Sequence, residues 1–227
     1  MPLYLSGGGS GKQSEEIDRL FSKNVDKSKP IIYIPIAIDA NKHPYPECLK
    51  WLKNNFKPYG LEHFVMCTED NYKEYICQDP NSFGGIYIGG GNTFYLLKIL
   101  KSTKLMDFLI ESYKKGIHIA GGSAGAIIFG KTIASSYLDD LNEVHIRNIS
   151  GIDLLNGYDI SAHYMDERMK SLSDIMIKYR VKDILAIPED SSLYIDKTIK
   201  VIGKSPITIF HNSKVKIIMP NSILKLE

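Results

Sequence analysis

The sequence lacks the features that identify several classes of protein. It has three cysteines, Cys48, Cys67 and Cys77, and no Cys-x-x-Cys pair. We therefore expect no disulfide framework and a reducing compartment, the cytoplasm. Its longest apolar runs, such as residues 31–38, are too short to cross a bilayer, so no membrane partner is expected. Residues 1–9 show no basic start followed by a hydrophobic stretch, which predicts no secretory signal.

The sequence also lacks a surplus of charge and a metal-ligand motif. Its 28 basic and 26 acidic residues give a net charge of +2 without a dense basic stripe. This balance predicts no nucleic-acid partner. The chain contains no His-Glu-x-x-His motif and no cluster of ligands at metal-binding spacing. We therefore expect neither a metal nor another cofactor.

A glycine-rich loop at residues 7–14 is similar to a phosphate-binding loop but fails its pattern. If Gly11 and Lys12 are taken as the Gly-Lys pair, the opening glycine is replaced by Ser6 and the Mg²⁺-binding hydroxyl by Gln13. We predict instead a strand-to-helix loop that borders the active site, with Ser14 as the N-cap of a helix.

Strand and helix patterns alternate over the first 129 residues. Continuous apolar runs of this kind are typical of parallel strands covered on both faces. The alternation predicts an α/β fold with a mostly parallel open sheet flanked by helices, and with ligands at the carboxyl ends of the strands. Trp51 is expected to pack one helix against the sheet. The predicted strands are 3–5, 31–37, 63–67 and 84–88, and the predicted helices are 15–22, 45–56, 71–76, 94–101 and 105–115.

The C-terminal part of the chain has a different pattern. A strand end at 160–164 and a helix at 168–178 precede five short β-branched or alternating segments. These predict an antiparallel meander that extends the sheet, and its exposed edge favours a homodimer. No repeat or linker divides the chain, so residues 1–227 are predicted to form a single domain. The five segments are 184–187, 192–195, 199–202, 207–210 and 214–219.

The stretch at 117–129 organises the rest of the chain. A short apolar run ends in Gly-Gly-Ser-Ala-Gly at 121–125, and small and apolar residues follow. Glycines two positions before and two after Ser123 are what a sharp strand-to-helix turn needs where backbone segments approach closely. The pattern favours a nucleophile elbow with Ser123 at its apex. A glycine-rich turn with an incidental serine is the structural alternative.

A nucleophilic serine needs a base, and that base needs an orienting acid. His163 and His145 are the two candidates for the base, and His163 is better placed because it ends a strand. The remaining four histidines are interpreted as structural or surface residues: His43, His63, His118 and His211.

Four motifs together resemble the dipeptidase E and cyanophycinase family of serine peptidases. They are Gly-Gly-Gly-Asn-Thr-Phe at 89–94, Gly-Gly-Ser-Ala-Gly-Ala at 121–126, Ala-His-Tyr at 162–164 and Pro-Glu-Asp-Ser at 188–191. The resemblance covers most of the chain in the right order. It implies a fold related to class I glutamine amidotransferases and a serine peptidase that hydrolyses dipeptides or short peptides, Asp-Xaa among them, through an acyl-enzyme.

The resemblance also implies a Ser-His-Glu triad of Ser123, His163 and Glu189. Glu189 directly follows a predicted strand, which agrees with a position at the functional edge of a sheet. The order serine, histidine, acid differs from that of an α/β-hydrolase, in which the acid precedes the histidine. Asp139 and Asp140 are the rival acids, and we expect them in a solvated loop.

Two backbone turns are expected to form the oxyanion hole. The N–H of Ala124 and one from the Gly90-Gly91 turn would bind the oxyanion, since glycine lets the backbone approach the scissile carbonyl. Asn92 is expected to orient this turn or contact substrate, and it also suits a helix N-cap.

The substrate is less clearly indicated. Cyanophycinases have an Asp-Gln pair before the histidine and spaced arginines after it, whereas Ser161 and Ala162 precede His163 here. Cyanophycin is therefore not the expected substrate. An aspartyl dipeptidase needs a cation for the substrate side chain, and either Arg168 or Arg147 is a candidate. An esterase or amidase using the same elbow, and a catalytically silent binding module, are the alternative functions.

Overall fold

The computed structural model describes residues 1–212 and 214–224. The twelve strands in this part of the chain are β1 Leu3–Ser6, β2 Ile31–Ile34, β3 Phe64–Met66, β4 Gly85–Ile88, β5 Ile119–Gly122, β6 Asp159–Ser161, β7 Asp183–Ala186, β8 Ser191–Ile195, β9 Ile199–Gly203, β10 Ile207–His211, β11 Lys214–Ile218 and β12 Ile223–Leu224. The seven α-helices are α1 Glu15–Asn24, α2 Tyr45–Phe56, α3 Lys73–Ile76, α4 Thr93–Ser102, α5 Leu105–Lys114, α6 Ala124–Ile127 and α7 Met169–Tyr179.

The larger sheet has eight strands in the order β12-β9-β8-β1-β5-β4-β2-β3. Its five strands from β1 to β3 in this order run parallel, which confirms the predicted open α/β sheet. The register pairs Ser6 with Gly122, so β1 and β5 end side by side at the edge where the chain turns into Ser123. The sheet therefore brings the first glycine-rich loop next to the predicted elbow.

Both faces of this sheet are covered, because alternate residues of each strand point to opposite sides. In β2, Ile32 and Ile34 belong to one core cluster, whereas Ile31 and Tyr33 belong to the other. Helices α4 and α5 supply the first cluster with a row of leucines. Helices α1 and α2 supply the second with Ile17, Phe21, Leu52 and Phe56.

The predicted C-terminal strands form, but the expectation that all of them extend one sheet is wrong. Strands β8, β9 and β12 continue the large sheet in antiparallel fashion. Strands β7, β10 and β11 join β6 in a separate sheet with the order β11-β10-β7-β6. The reason is that β7 has two other neighbours. It pairs in parallel with β6 and in antiparallel with β10, and Ile184 and Ala186 are buried with Tyr164, Leu172 and Phe210.

One local expectation is confirmed in part and another is corrected. Ser14 is the N-cap residue of α1 as predicted, but its side chain makes no capping hydrogen bond, and its hydroxyl donates to the Asp18 carboxylate at 2.7 Å. Trp51 does not pack α2 against the sheet. Its side chain is 46% exposed, and Leu52 and Phe56 fill the buried face of that helix.

None of the helices in the described residues combines the length and the apolar character that crossing a membrane requires.

Candidate active site

Ser123 lies at the apex of a sharp turn between β5 and α6. Its backbone has φ 50° and ψ −114°, a conformation that costs energy for a residue with a side chain and is typical of functional turns. A Cβ at Gly121 would lie 2.1 Å from the Gly125 carbonyl oxygen, and one at Gly125 would lie 2.3 Å from the Ile88 carbonyl oxygen. Both glycines are therefore required by the close approach of the backbone. The turn has the geometry expected of a nucleophile elbow.

His163 and Glu189 reach Ser123 from the smaller sheet. His163 follows β6, Glu189 follows β7, and these two strands are parallel neighbours with Ser161 opposite Ala186. The Ser123 Oγ lies 2.8 Å from His163 Nε2. On the other side of the ring, His163 Nδ1 lies 2.9 Å from Glu189 Oε1. The three predicted residues thus form one continuous chain of hydrogen bonds where the two sheets meet.

The glycine-rich loop after β1 packs directly on this histidine and glutamate. The backbone N–H of His163 donates to the Gly7 carbonyl at 2.9 Å, and the N–H of Gly9 donates to the Glu189 carbonyl at 3.1 Å. A Cβ at Gly8 would lie 2.3 Å from His163 Cε1. The loop was predicted to border the site, but the sequence did not indicate that it would pack against the imidazole of His163.

Gln13, at the end of the same loop, contacts the second oxygen of the glutamate. Its side-chain amide donates from Nε2 to Glu189 Oε2 at 3.2 Å. The hydrogen bonds from His163 and then from Gln13 lower the pKa of the Glu189 carboxyl from its ordinary value. The carboxylate therefore stays ionised beside the histidine. Sequence reasoning missed Gln13, because 176 positions separate it from Glu189 along the chain.

The backbone groups expected to form the oxyanion hole have free donors. Among the described residues, the N–H groups of Gly90, Gly91 and Ala124 form no hydrogen bond with a backbone carbonyl. A Cβ at Gly90 would lie 3.2 Å from Ser123 Cβ, so this turn lies against the serine. Gly91 has φ 133° and a Cβ there would meet the Ala37 carbonyl oxygen at 2.1 Å, so both its conformation and its surroundings need glycine.

Comparison with known proteins identifies the family. The family model described as "Peptidase family S51" matches residues 3–202. This chain belongs to peptidase family S51. It is similar to Peptidase E of a Nostoc species, with 26% identity over 206 residues that cover 86% of this chain and 80% of that protein. It is also similar to Peptidase E of a Shewanella species, with 27% identity over 153 residues that cover 63% of this chain and 64% of that protein.

A solved structure shares the fold. The crystal structure of a peptidase from an acI-B1 actinobacterium superimposes with a TM-score of 0.74 over 99% of this chain and 96% of that one, at 17% sequence identity. The predicted family is confirmed, and with it a serine-type peptidase of the α/β class.

The alternative candidates for the acid and the base lie outside the Ser123–His163–Glu189 hydrogen bonds of this S51 peptidase. Asp140 Oδ2 accepts from the Thr93 backbone N–H at 2.8 Å. Burial raises the pKa of this Asp140 carboxyl. Asp139 accepts from the Arg168 guanidinium at 2.8 Å. The rival base, His145, is exposed in the same loop region. None of these three side chains is hydrogen-bonded to Ser123 or His163.

Asn92 holds the loop that contains these acids. Its side chain caps α4 by accepting from the Tyr95 N–H at 2.9 Å and donates to the Leu141 carbonyl at 2.9 Å. Both ends of the amide are therefore used within the protein. The expected N-cap is present, and contact with substrate stays a prediction.

The two arginines proposed for an acidic substrate differ in position. Arg168 lines the same cavity as His163, but it is paired with Asp139. Arg147 is exposed and lines none of the three cavities around the site. The structure thus brings only one of them near the triad.

Three cavities surround the site of the S51 chain. One of about 510 Å³ contains Ser123 and Gly90, a second of about 520 Å³ contains His163 and Arg168, and a third of about 600 Å³ lies beyond Asn92. Among the described residues, no three His, Cys, Asp or Glu side chains are grouped so as to hold a metal ion.

Proposed function

We propose that this S51 chain hydrolyses dipeptides or short peptides through an acyl-enzyme on Ser123. In this proposal His163 is the general base and Glu189 is the acid that orients it. The observation that carries the proposal is the unbroken path from Ser123 Oγ through both nitrogens of His163 to Glu189 Oε1, with separations of 2.8 and 2.9 Å. These distances lie in the range needed for proton transfer and for orienting the imidazole.

The first half of the reaction forms the acyl-enzyme. Ser123 Oγ attacks the scissile carbonyl carbon while its proton passes to His163 Nε2, and the carbonyl oxygen becomes an oxyanion. The free N–H groups of Gly90 and Ala124 donate to that oxyanion. The carbon–nitrogen bond then breaks, and the imidazolium returns its proton to the leaving amine.

The second half regenerates the enzyme. A water molecule attacks the ester carbonyl and gives a proton to His163 Nε2. The ester bond to Ser123 Oγ breaks, and that proton passes to the serine. The Glu189 carboxylate stabilises the imidazolium in both halves, and its lowered pKa keeps it charged at neutral pH.

The restriction to small peptides rests on the size of the site and on the relatives. The cavities around the triad each measure about 500 to 600 Å³, which matches a ligand of a few residues. The two relatives named above are called Peptidase E.

The test is turnover of a dipeptide panel, including Asp-Xaa peptides, by wild type and by Ser123→Ala, with a chelator present throughout. Ser102→Ala is the matched control, since this exposed serine at the end of α4 contacts only its own helix. We expect cleavage by wild type and by the control, and a loss of at least about 10⁴-fold in kcat for Ser123→Ala.

Two outcomes would contradict the proposal. Activity that survives in Ser123→Ala would exclude the serine mechanism. Hydrolysis of amino-acid esters with no cleavage of any peptide would favour the esterase alternative on the same elbow.

A further inference from the structure

The cavity that contains Ser123 has a distinctive wall on one side. It lies over the face of the large sheet that α1 and α2 cover, and it extends from the nucleophile to α2. Tyr33 and Tyr87 rise into it from neighbouring parallel strands, with ring centroids 6.1 Å apart. Trp51, the single tryptophan of the chain, lines it from α2. We call this space the tyrosine cavity.

The two tyrosine hydroxyls lie at the base of the reaction centre. A Cβ at Gly89 would lie 3.4 Å from the Tyr33 hydroxyl, and a Cβ at Gly122 would lie 3.8 Å from the Tyr87 hydroxyl. Gly89 precedes the expected oxyanion turn, and Gly122 precedes Ser123. A group bound against these hydroxyls is therefore held next to the bond that reacts.

Neither hydroxyl makes a hydrogen bond to a described residue, and neither is among the buried polar atoms that lack a partner, so both hydroxyls are open to the cavity. Burial raises the pKa of both phenols, so each keeps its proton. Each hydroxyl can therefore donate a hydrogen bond to a polar group of a ligand, or accept one from it.

The charges around the tyrosine cavity disfavour an acidic side chain. None of the described residues that line it is a lysine or an arginine, and Glu47 lines it together with His43. The nearby Asp18 carboxylate also adds to the raised pKa of Tyr87. Arg168 lies in a different cavity and is already neutralised by Asp139. A carboxylate in the tyrosine cavity would be repelled, whereas an uncharged ring would pack against three aromatic side chains.

The position of the cavity assigns it to one side of the scissile bond. The leaving amine takes its proton from His163, so it lies on the histidine side of Ser123. The tyrosine cavity contains Ser123 and Gly90 but not the His163 side chain. It therefore lies on the side of the acyl group.

We propose that the tyrosine cavity binds the side chain of the residue whose carbonyl Ser123 attacks, and that this side chain is aromatic with a hydrogen-bonding end, as in tyrosine. This inference rests on the proposed function and names its substrate class. Tyr33 and Tyr87 are the specificity-determining residues. Their rings pack against the aromatic ring of the substrate side chain, and their hydroxyls bind its polar end.

The first test compares kcat/KM for Tyr-Leu, Phe-Leu and Asp-Leu. We expect Tyr-Leu to exceed Phe-Leu by about tenfold and Phe-Leu to exceed Asp-Leu by at least about tenfold. Tyr33→Phe and Tyr87→Phe remove only a hydroxyl, so each should lower the ratio of kcat/KM for Tyr-Leu to that for Phe-Leu. Tyr113→Phe on α5 is the control, since Tyr113 lines none of the three cavities. Preference for Asp-Leu, or an unchanged ratio in both variants, would overturn the inference.

The second test uses binding alone, so that it is independent of turnover. Ser123→Ala is titrated with Phe-Leu and Asp-Leu while the fluorescence of Trp51 is followed with excitation that spares tyrosine. A saturable change with Phe-Leu and none with Asp-Leu is the expected result. Binding without cleavage by wild type would retain the cavity assignment and contradict the proposed function. Cleavage of peptides with no response of Trp51 to Phe-Leu would contradict the cavity assignment and retain the proposed function.

Discussion

The two oxygens of Glu189 have different partners, and together these partners fix the plane of the carboxylate. Oε1 faces His163 and Oε2 faces Gln13. The side chain is 51% exposed, so without both contacts it would be free to rotate in solvent. In the proposed mechanism Gln13 is therefore a positioning residue, which acts on His163 through Glu189.

Replacing Gln13 with alanine tests this role. Loss of the donor raises the pKa of Glu189 and strengthens its interaction with protonated His163, so the acid limb of the kcat/KM profile should move to higher pH. We expect kcat/KM at neutral pH to fall about tenfold or less, because the His163 contact remains. Lys12→Ala, in the same exposed loop, should change neither the rate nor the profile. A loss of rate with an unshifted acid limb would mean that Gln13 has only a structural role.

At the scale of elements, the loop between β1 and α1 packs against the imidazole of His163, the base in the proposed mechanism. Gly8 and Gly11 both have positive φ, at 107° and 58°. Their surroundings differ, because a Cβ at Gly8 would overlap the His163 ring whereas one at Gly11 would meet nothing within 4 Å. Substitutions at the two positions therefore distinguish the effect of crowding the imidazole from the effect of straining the loop backbone.

Gly8→Ala should displace the imidazole and lower kcat by about 100-fold or more, since small displacements of a catalytic group have effects of this size. Gly11→Ala should leave kcat within about threefold of wild type and lower the free energy of unfolding by about 1 kcal/mol. Steady-state kinetics and thermal unfolding of both variants provide the measurement. Equal losses of kcat in the two variants would contradict the claim that the loop positions the imidazole of His163.

The elements themselves were largely predictable from the sequence, because local patterns determine them. Helix α2 has the predicted bounds, and the turn at Ser123 follows from its glycines and the apolar run before it. The partition of the C-terminal strands was not predictable. A β-rich segment such as 184–187 specifies a strand but not its neighbour, and pairing with β6 depends on residues more than 20 positions away.

The residues of the candidate site also divide into those that the sequence predicted and those that it did not. Ser123 and Gly90 were predicted as site residues because a tight turn leaves a glycine signature in the sequence. Gln13 and the two tyrosines of the tyrosine cavity left no such signature, since a single glutamine in a loop or a tyrosine in a buried strand has many ordinary uses. Trp51 was expected to be buried on the basis of its size, whereas it lines the cavity with an exposed face.

At the scale of the whole molecule, the half-buried Asp18 and the buried Asp159 oppose the usual effect of pH on stability. Burial raises the pKa of Asp18 and of Asp159 to about 6 each. Between the ordinary pKa and about 6, the folded state binds more protons than the unfolded state does. The contribution of these groups to stability is therefore present at low pH and is lost as the pH rises through about 6.

The Asp18→Asn variant tests this effect, because it removes one of the two titrations. Its free energy of unfolding should increase relative to that of wild type by about 1 kcal/mol between about pH 5 and about pH 8, because only wild type loses stability there. Urea unfolding at the two pH values measures the difference. Asp26→Asn is the control, because hydrogen bonds lower the pKa of that exposed carboxyl and place its titration below this window. A pH-independent difference for Asp18→Asn would contradict the raised pKa.

The central claim is that Ser123 is a nucleophile activated by His163. Covalent labelling with a small fluorophosphonate, followed by intact mass and peptide mapping, tests it most directly. The account predicts one adduct per chain, located on Ser123, with labelling slowed at least about 100-fold in His163→Ala. An adduct on another residue, or none on an enzyme that cleaves peptides, would contradict it.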